Sequence, residues 1–121
     1  MLKPYTPTEA QVLASVLQAL RHDKRVAWCG RFNSGAQVVG EGKQRRFLRF
    51  HDVQGFPDIA GQLTDGRFLA IECKRPGWKS PADERERRQQ DFLALVDRNG
   101  GVSGFARGID DVFQILDGSA I

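Results

Sequence analysis

The run Arg67-Phe68-Leu69-Ala70-Ile71-Glu72-Cys73-Lys74 leaves the chain few choices of surroundings. Read as an extended strand, it projects Phe68, Ala70, Glu72 and Lys74 to one side and Leu69, Ile71 and Cys73 to the other. Both sides are apolar up to the last residues, so the strand belongs inside a sheet with cover on each face. Glu72 and Lys74 then leave the backbone at interior positions. A charge there is costly unless it is paired or binds a metal.

The rest of the chain supplies that cover. Thr6-Pro7-Thr8-Glu9 reads as a capping box with Thr6 at the N-cap, Pro7 first in the helix and Glu9 the N3 acid, and Leu13, Val16, Leu17 and Leu20 recur at helical spacing behind it. From Arg25 to Asn33 the pattern alternates as a strand, Arg46 to Phe50 reads as a second, and Ile59 to Leu63 as a third. Asn33-Ser34-Gly35 and Gly40-Glu41-Gly42 are loop material. The strand from Arg67 to Lys74 ends at Pro76-Gly77. Ser80-Pro81-Ala82-Asp83 opens a helix that runs to about Arg98 and stops at Asn99-Gly100-Gly101. Val102 to Ala106 is a last strand, and Asp110 to Leu116 a short last helix. The expected order is a helix, three or four strands, a helix, a strand and a helix: an α/β chain with a mixed central sheet flanked by helices.

At 121 residues this is one domain, residues 1–121. No apolar run approaches the about 20 residues of a membrane span, and the first residues lack the apolar core of a signal peptide. Cys29 and Cys73 cannot build a disulfide framework, so reduced thiols in a cytoplasmic setting are expected.

Thr64-Asp65-Gly66 marks a hairpin, and its register decides whether a further acid joins Glu72. A two-residue turn at Asp65-Gly66 pairs Thr64 with Arg67 and sets Asp58 opposite Cys73, on the wrong face. A three-residue loop, with Gly66 in the left-handed region, pairs Leu63 with Arg67 and sets Asp58 opposite Glu72. Two carboxylates facing across a ladder repel, and a divalent cation between them removes the conflict. Oxygen ligands, with a backbone carbonyl such as that of Cys73, suit Mg2+ or Mn2+. A lysine beside such an ion can steady hydroxide or the charge growing on a phosphate. An ordinary buried salt bridge from Lys74 to Glu72 or Asp58 is the plainer reading of the same residues.

Charge is unevenly spread. The formal net charge is +3, yet residues 21 to 49 hold eight basic side chains (Arg21, Lys24, Arg25, Arg31, Lys43, Arg45, Arg46, Arg49) against Asp23 and Glu41. That segment can face phosphate, and Arg31, Asn33, Lys43, Arg45 and Arg46 are its DNA-contact candidates. A solvated surface is the alternative. Lys79, Arg85, Arg87 and Arg88 are further candidates near the expected site, where Glu84 and Glu86 argue equally for a solvated helix.

With these residues in view, the chain resembles a known family. Pro57-Asp58 followed across a hairpin by Glu72-Cys73-Lys74 matches the PD-(D/E)XK nuclease signature. Gly55-Phe56-Pro57-Asp58-Ile59-Ala60-Gly61, Asp65-Gly66-Arg67-Phe68-Leu69-Ala70-Ile71-Glu72-Cys73-Lys74, a Gln-x-x-Phe-Leu helix at Gln89, and Gly100-Gly101-Val102 resemble the virus-type replication-repair nuclease (VRR-NUC) domain, above all its stand-alone bacteriophage members. The likeness covers roughly residues 6 to 116. It implies a restriction-endonuclease-like core and Mg2+- or Mn2+-dependent DNA endonuclease activity. For stand-alone members it also implies homodimers and cleavage of four-way (Holliday) junctions, in the host cytoplasm if the chain is phage-encoded. Carried over by position, Asp58 and Glu72 are metal ligands with the Cys73 carbonyl, Glu9 is a further ligand from the first helix, Lys74 is the catalytic lysine, and Gln89 lies beside the site. One departure stands out: many members place a Ser-Pro pair three residues before the glutamine, whereas Ser80 is nine before Gln89.

The residues themselves give some of these positions a second reading. Glu9 also serves as the N3 acid of the cap, and it lies four residues before Leu13 on the core-facing stripe. Gln89 shares a helix face with Phe92, Leu93 and Val96, where an amide needs partners; an orienter of water or of Lys74 fits it better than a ligand. His51 is a less favoured general base. Trp28, Trp78 and the phenylalanines are expected in the core or on a dimer surface, with base stacking open to Trp78. Three rival functions remain: a DNA-binding module without chemistry, a phage structural module on the same fold, and a restriction-type endonuclease, for which the chain is short of a base-reading domain.

Overall fold

The computed structural model describes residues 4–32, 36–39, 46–49 and 53–118, the two short segments by their backbone alone. It is an α/β arrangement in the order α1 (Glu9–His22), β1 (Val26–Arg31), β2 (Ala36–Val39), β3 (Arg46–Arg49), β4 (Ile59–Leu63), β5 (Phe68–Cys73), α2 (Glu84–Arg98), β6 (Val102–Ala106) and α3 (Ile109–Gly118). Four strands form one mixed sheet ordered β1-β4-β5-β6. β4 pairs antiparallel with both β1 and β5, and β5 pairs parallel with β6 through the α2 crossover. β2 and β3 form a separate antiparallel pair. β2 is not among the strands expected from the sequence, and it adds a fifth strand before α2. The expected loops at Asn33-Ser34-Gly35 and Gly40-Glu41-Gly42 fall outside the described residues, as do His51 and Phe50.

β5 is covered on both faces, as its sequence requires. Leu69, Ile71 and Cys73 enter a core with Val12, Leu13, Val16 and Leu20 of α1 and Val112 and Leu116 of α3. Ala70, on the opposite face, packs with Leu93 and Val96 of α2. Burying side chains of this size contributes about 1.5–3 kcal/mol each, so the face shared by α1 and α3 dominates the stability of the sheet.

Both main helix starts differ from expectation. α1 is capped by Thr8: its hydroxyl accepts the Gln11 N–H at 3.2 Å, and the Gln11 side chain accepts the Thr8 N–H at 2.9 Å. Thr6-x-x-Glu9 and Thr8-x-x-Gln11 have the same spacing, and the second pair closes both bonds. Glu9 is therefore relieved of cap duty. α2 begins at Glu84 with Asp83 as its N-cap, the carboxylate accepting the Glu86 N–H at 2.8 Å. Ser80-Pro81 stays in the preceding loop because Glu86 turns back to accept the Ala82 N–H at 3.1 Å.

Two glycines set the geometry that matters next. Gly66 has φ +94°, and the Leu63 N–H donates to the Arg67 carbonyl at 2.8 Å, so the hairpin has the three-residue loop. Gly55, with φ +76°, brings the segment before Asp58 against α2; a Cβ there would lie 2.2 Å from the Arg88 carbonyl oxygen. Among the described residues no helix is long and apolar enough to cross a membrane.

Candidate active site

The hairpin register decides the first contact. Ile59 pairs with Ile71 and Ala60 with Ala70, and continuing this register places Asp58 opposite Glu72. The β1 ladder anchors Asp58 from the other side, since its carbonyl accepts the Phe32 N–H at 2.8 Å. The Asp58 carboxylate accepts the Cys73 N–H at 3.0 Å, which holds it over the end of β5. Cys73 itself is fully buried. Its thiol is pushed well above the ordinary range by burial, with the Asp58 and Glu72 charges adding to the effect.

Glu72 is 3% exposed, and its Oε2 has no hydrogen-bond partner. Burial pushes its carboxyl up to about 9, the adjacent Asp58 adds to the rise, Lys74 opposes it, and Glu9 contributes a smaller upward push. Two acids face each other, and a buried oxygen lacks a partner. This is the environment a divalent oxygen-ligated cation would satisfy, so the donor set fits Mg2+ or Mn2+. Among the described residues no three His, Cys, Asp or Glu side chains converge as a metal-holding group. The side-chain donors are the pair Asp58 and Glu72. Glu9, the proposed third, is exposed at the mouth of the adjoining cleft.

The proton on Glu72 has a consequence for stability. In the unfolded chain this carboxyl titrates near 4.5, in the metal-free fold near 9, so the fold binds an extra proton between those values. The resulting stabilisation is complete below about pH 4.5 and is lost as pH rises toward 9. Glu72→Gln should flatten that decline. Urea midpoints of the metal-free proteins at pH 5 and pH 8 will check it: wild type is expected to lose stability between them, the variant much less.

Lys74 is 2% exposed, and its partners come from α2. Nζ donates to Gln89 Oε1 at 2.8 Å and forms an ion pair with Glu86 Oε2 at 3.0 Å. It lies 5.7 Å from the centroid of the Trp78 ring. The salt bridge that the plainer reading gave to Glu72 or Asp58 is instead made with Glu86, because α2 presents Glu86 and Gln89 on one face, three residues apart. Gln89, 6% exposed, touches Lys74 as its helix position suggests. Glu86 reads in the sequence as a solvated acid and is the partner of Lys74 missing from the expected set. Extending the Gln89, Phe92 and Val96 stripe one turn toward the helix start finds it. The Lys74 ammonium holds the Glu86 carboxyl below the usual range, helped by the Ala82 N–H.

Trp78 is committed to structure. Its indole N–H donates to Glu86 Oε2 at 2.8 Å, and its ring meets Phe105 at 4.5 Å. Trp28, expected in the core or on a dimer surface, is 52% exposed on the edge strand β1, with its N–H on Gln62 Oε1 at 3.2 Å.

The basic candidates divide. A cleft of about 370 Å³ joins Glu9, Lys74, Trp78 and Glu86 to Arg75, Lys79 and Arg85, so Lys79 and Arg85 line the same cleft as Lys74. Arg88 is exposed and paired with Glu84 at 2.8 Å. Arg31 is exposed at the end of β1, next to the strand that leads out of Asp58. Asn33, Lys43 and Arg45 lie outside the described residues, as does the Arg46 side chain. Two members of the basic segment serve the fold: Arg21 donates to the Cys29 carbonyl at 3.4 Å, and Arg25 bridges Asp23 and Asp117 at 3.0 and 2.7 Å. The larger cleft, about 670 Å³ and lined by Phe68, Phe92 and Leu95, lies at the opposite end of β5 from Glu72 and holds no facing acid pair.

Comparison with protein-family models and with curated proteins gives no match to this chain.

Proposed function

We propose that the chain is a Mg2+- or Mn2+-dependent DNA endonuclease with a PD-(D/E)XK core of the VRR-NUC type. The observation that carries this reading is the facing of Asp58 and Glu72, with Glu72 Oε2 buried and unpartnered. Asp58, Glu72 and the Cys73 carbonyl would hold the cation, with Glu9 at the cleft mouth as a candidate to complete the set. A cation held there supplies Lewis-acid stabilisation of the negative charge on a phosphodiester in its transition state. Lys74 contributes a fixed positive charge from the same face of β5 as Glu72, and its burial strengthens its pull on a phosphate. Gln89 orients the amine from α2, and Lys79 and Arg85 offer phosphate contacts at the cleft.

The substrate we propose is branched DNA, such as a four-way junction, gripped through its backbone. A homodimer would place two such sites on symmetric strands; the exposed Trp28 on an edge strand supports a surface of that kind. The same resemblance is the ground on which we propose a bacteriophage protein of DNA repair.

The test is cleavage of supercoiled plasmid and of a synthetic four-way junction, each with Mn2+, with Mg2+ and with EDTA. Nicking that requires the cation and is faster on the junction than on linear duplex is expected. Shifted but uncut DNA under every condition would favour a binding module without chemistry.

A further inference from the structure

The ammonium of Lys74 shares a face of β5 with Glu72, and Asp58 lies directly across the ladder. A charged amine in that place has an obvious alternative position: on the acid pair itself, as a tethered cation. It is not there. Its ion pair runs to Glu86 at 3.0 Å and a second donor goes to Gln89 at 2.8 Å, while Glu72 Oε2 is left without a partner. Of the three donors an ammonium has, α2 takes two.

Glu86 is itself held in place. Its carboxylate accepts the Trp78 indole N–H at 2.8 Å and the Ala82 N–H at 3.1 Å, its own N–H is capped by Asp83 at 2.8 Å, and the Trp78 ring is seated on Phe105. Its side chain is only 13% exposed, so water competes weakly for the ion pair. Without this counter-charge, the acids left around the amine are Glu72, which already feels its charge, Asp58 beside Glu72, and the exposed Glu9 of the adjoining cleft.

We propose that Glu86 is a positioning residue that holds Lys74 off the Asp58–Glu72 pair and so keeps that pair open to a divalent cation. The inference rests on reading Asp58 and Glu72 as cation ligands and adds the device that stops the chain's own lysine from occupying their site.

The test is calorimetric binding of Mn2+ to the full chain, with no DNA present, for wild type, Glu86→Gln, Lys74→Met and the double variant. Glutamine removes the charge and keeps one acceptor oxygen, for Trp78 or for Ala82 but not for both. Glu86→Gln should bind Mn2+ about 10- to 100-fold more weakly. Adding Lys74→Met should restore affinity to within about threefold of wild type, because the competing amine is gone. Wild-type affinity in Glu86→Gln overturns the inference. So does a loss that Lys74→Met does not rescue, since a damaged fold is not repaired by removing a lysine. Should Glu86→Gln fail to fold, Lys74→Met alone decides: it is expected to bind Mn2+ at least as tightly as wild type, and weaker binding overturns the inference. Wild type that binds no Mn2+ removes the cation-site reading itself, and the inference with it.

Discussion

Lys74→Met is expected to slow Mn2+-dependent plasmid nicking by about 10²- to 10³-fold, the usual loss when one fixed charge aimed at a transition state is removed. Methionine matches the length of the lysine stem, so the packing around this 2% exposed position survives and the charge does not. Glu86 then loses its ion pair but keeps the Trp78 and Ala82 donors, and at 13% exposure it retains some contact with water. The stability cost therefore falls below the about 3–5 kcal/mol of a fully buried charge left alone. A thermal melt run beside the nicking assay separates the two effects. A folded, inactive variant supports chemistry at Lys74. Equal nicking by variant and wild type removes it from the mechanism.

Asp58→Asn is expected to abolish both cleavage and the response of the fold to Mn2+. Asparagine still offers an oxygen to the Cys73 N–H, the bond that seats residue 58 at 3.0 Å, so the hairpin keeps its register. What disappears is the carboxylate that faces Glu72 across the hairpin. The Glu72 carboxyl, raised to about 9 by burial and by Asp58, then titrates lower. At a Mn2+ concentration of 100 times Kd, a wild-type fold that binds the ion gains about 2.7 kcal/mol. In a chain of this size that raises Tm by roughly 10 °C. The shift is expected to vanish in Asp58→Asn. An undiminished shift would place the ion elsewhere.

Much of this site is legible in the order of the amino acids. The apolar run ending in Glu72-Cys73-Lys74 forces a sheet covered on two faces, and Leu69, Ile71 and Cys73 do enter one core while Ala70 enters the other. The Asp58–Glu72 pairing is legible as one of two registers; only the Leu63–Arg67 bond and the left-handed Gly66 decide between them. Gln89 is readable from its helix face. Glu86 does not stand out, because an acid between Arg85 and Arg87 looks like a solvated charge until the loop before α2 is seen to fold Trp78 and Ala82 onto it. Helix starts are the least legible feature for a related reason. Thr6 and Thr8, and Ser80 and Asp83, are all competent caps, and the choice falls to whichever closes its cap bonds, Thr8 with Gln11 and Asp83 with the Glu86 N–H. The basic segment reads as a phosphate face from charge alone, yet Arg21 and Arg25 are spent on the backbone of β1 and on α3. A charge count cannot distinguish a cation that faces solvent from one that ties two elements together.

The claim on which the rest depends is that Asp58 and Glu72 converge on one divalent ion. Anomalous diffraction from crystals grown with Mn2+ addresses it most directly. A single strong peak between the two carboxylates, with the Cys73 carbonyl beside it and Lys74 still on Glu86, is the predicted result. Crystals saturated with Mn2+ that show no peak there, and a Lys74 amine resting on the acid pair, would contradict the account.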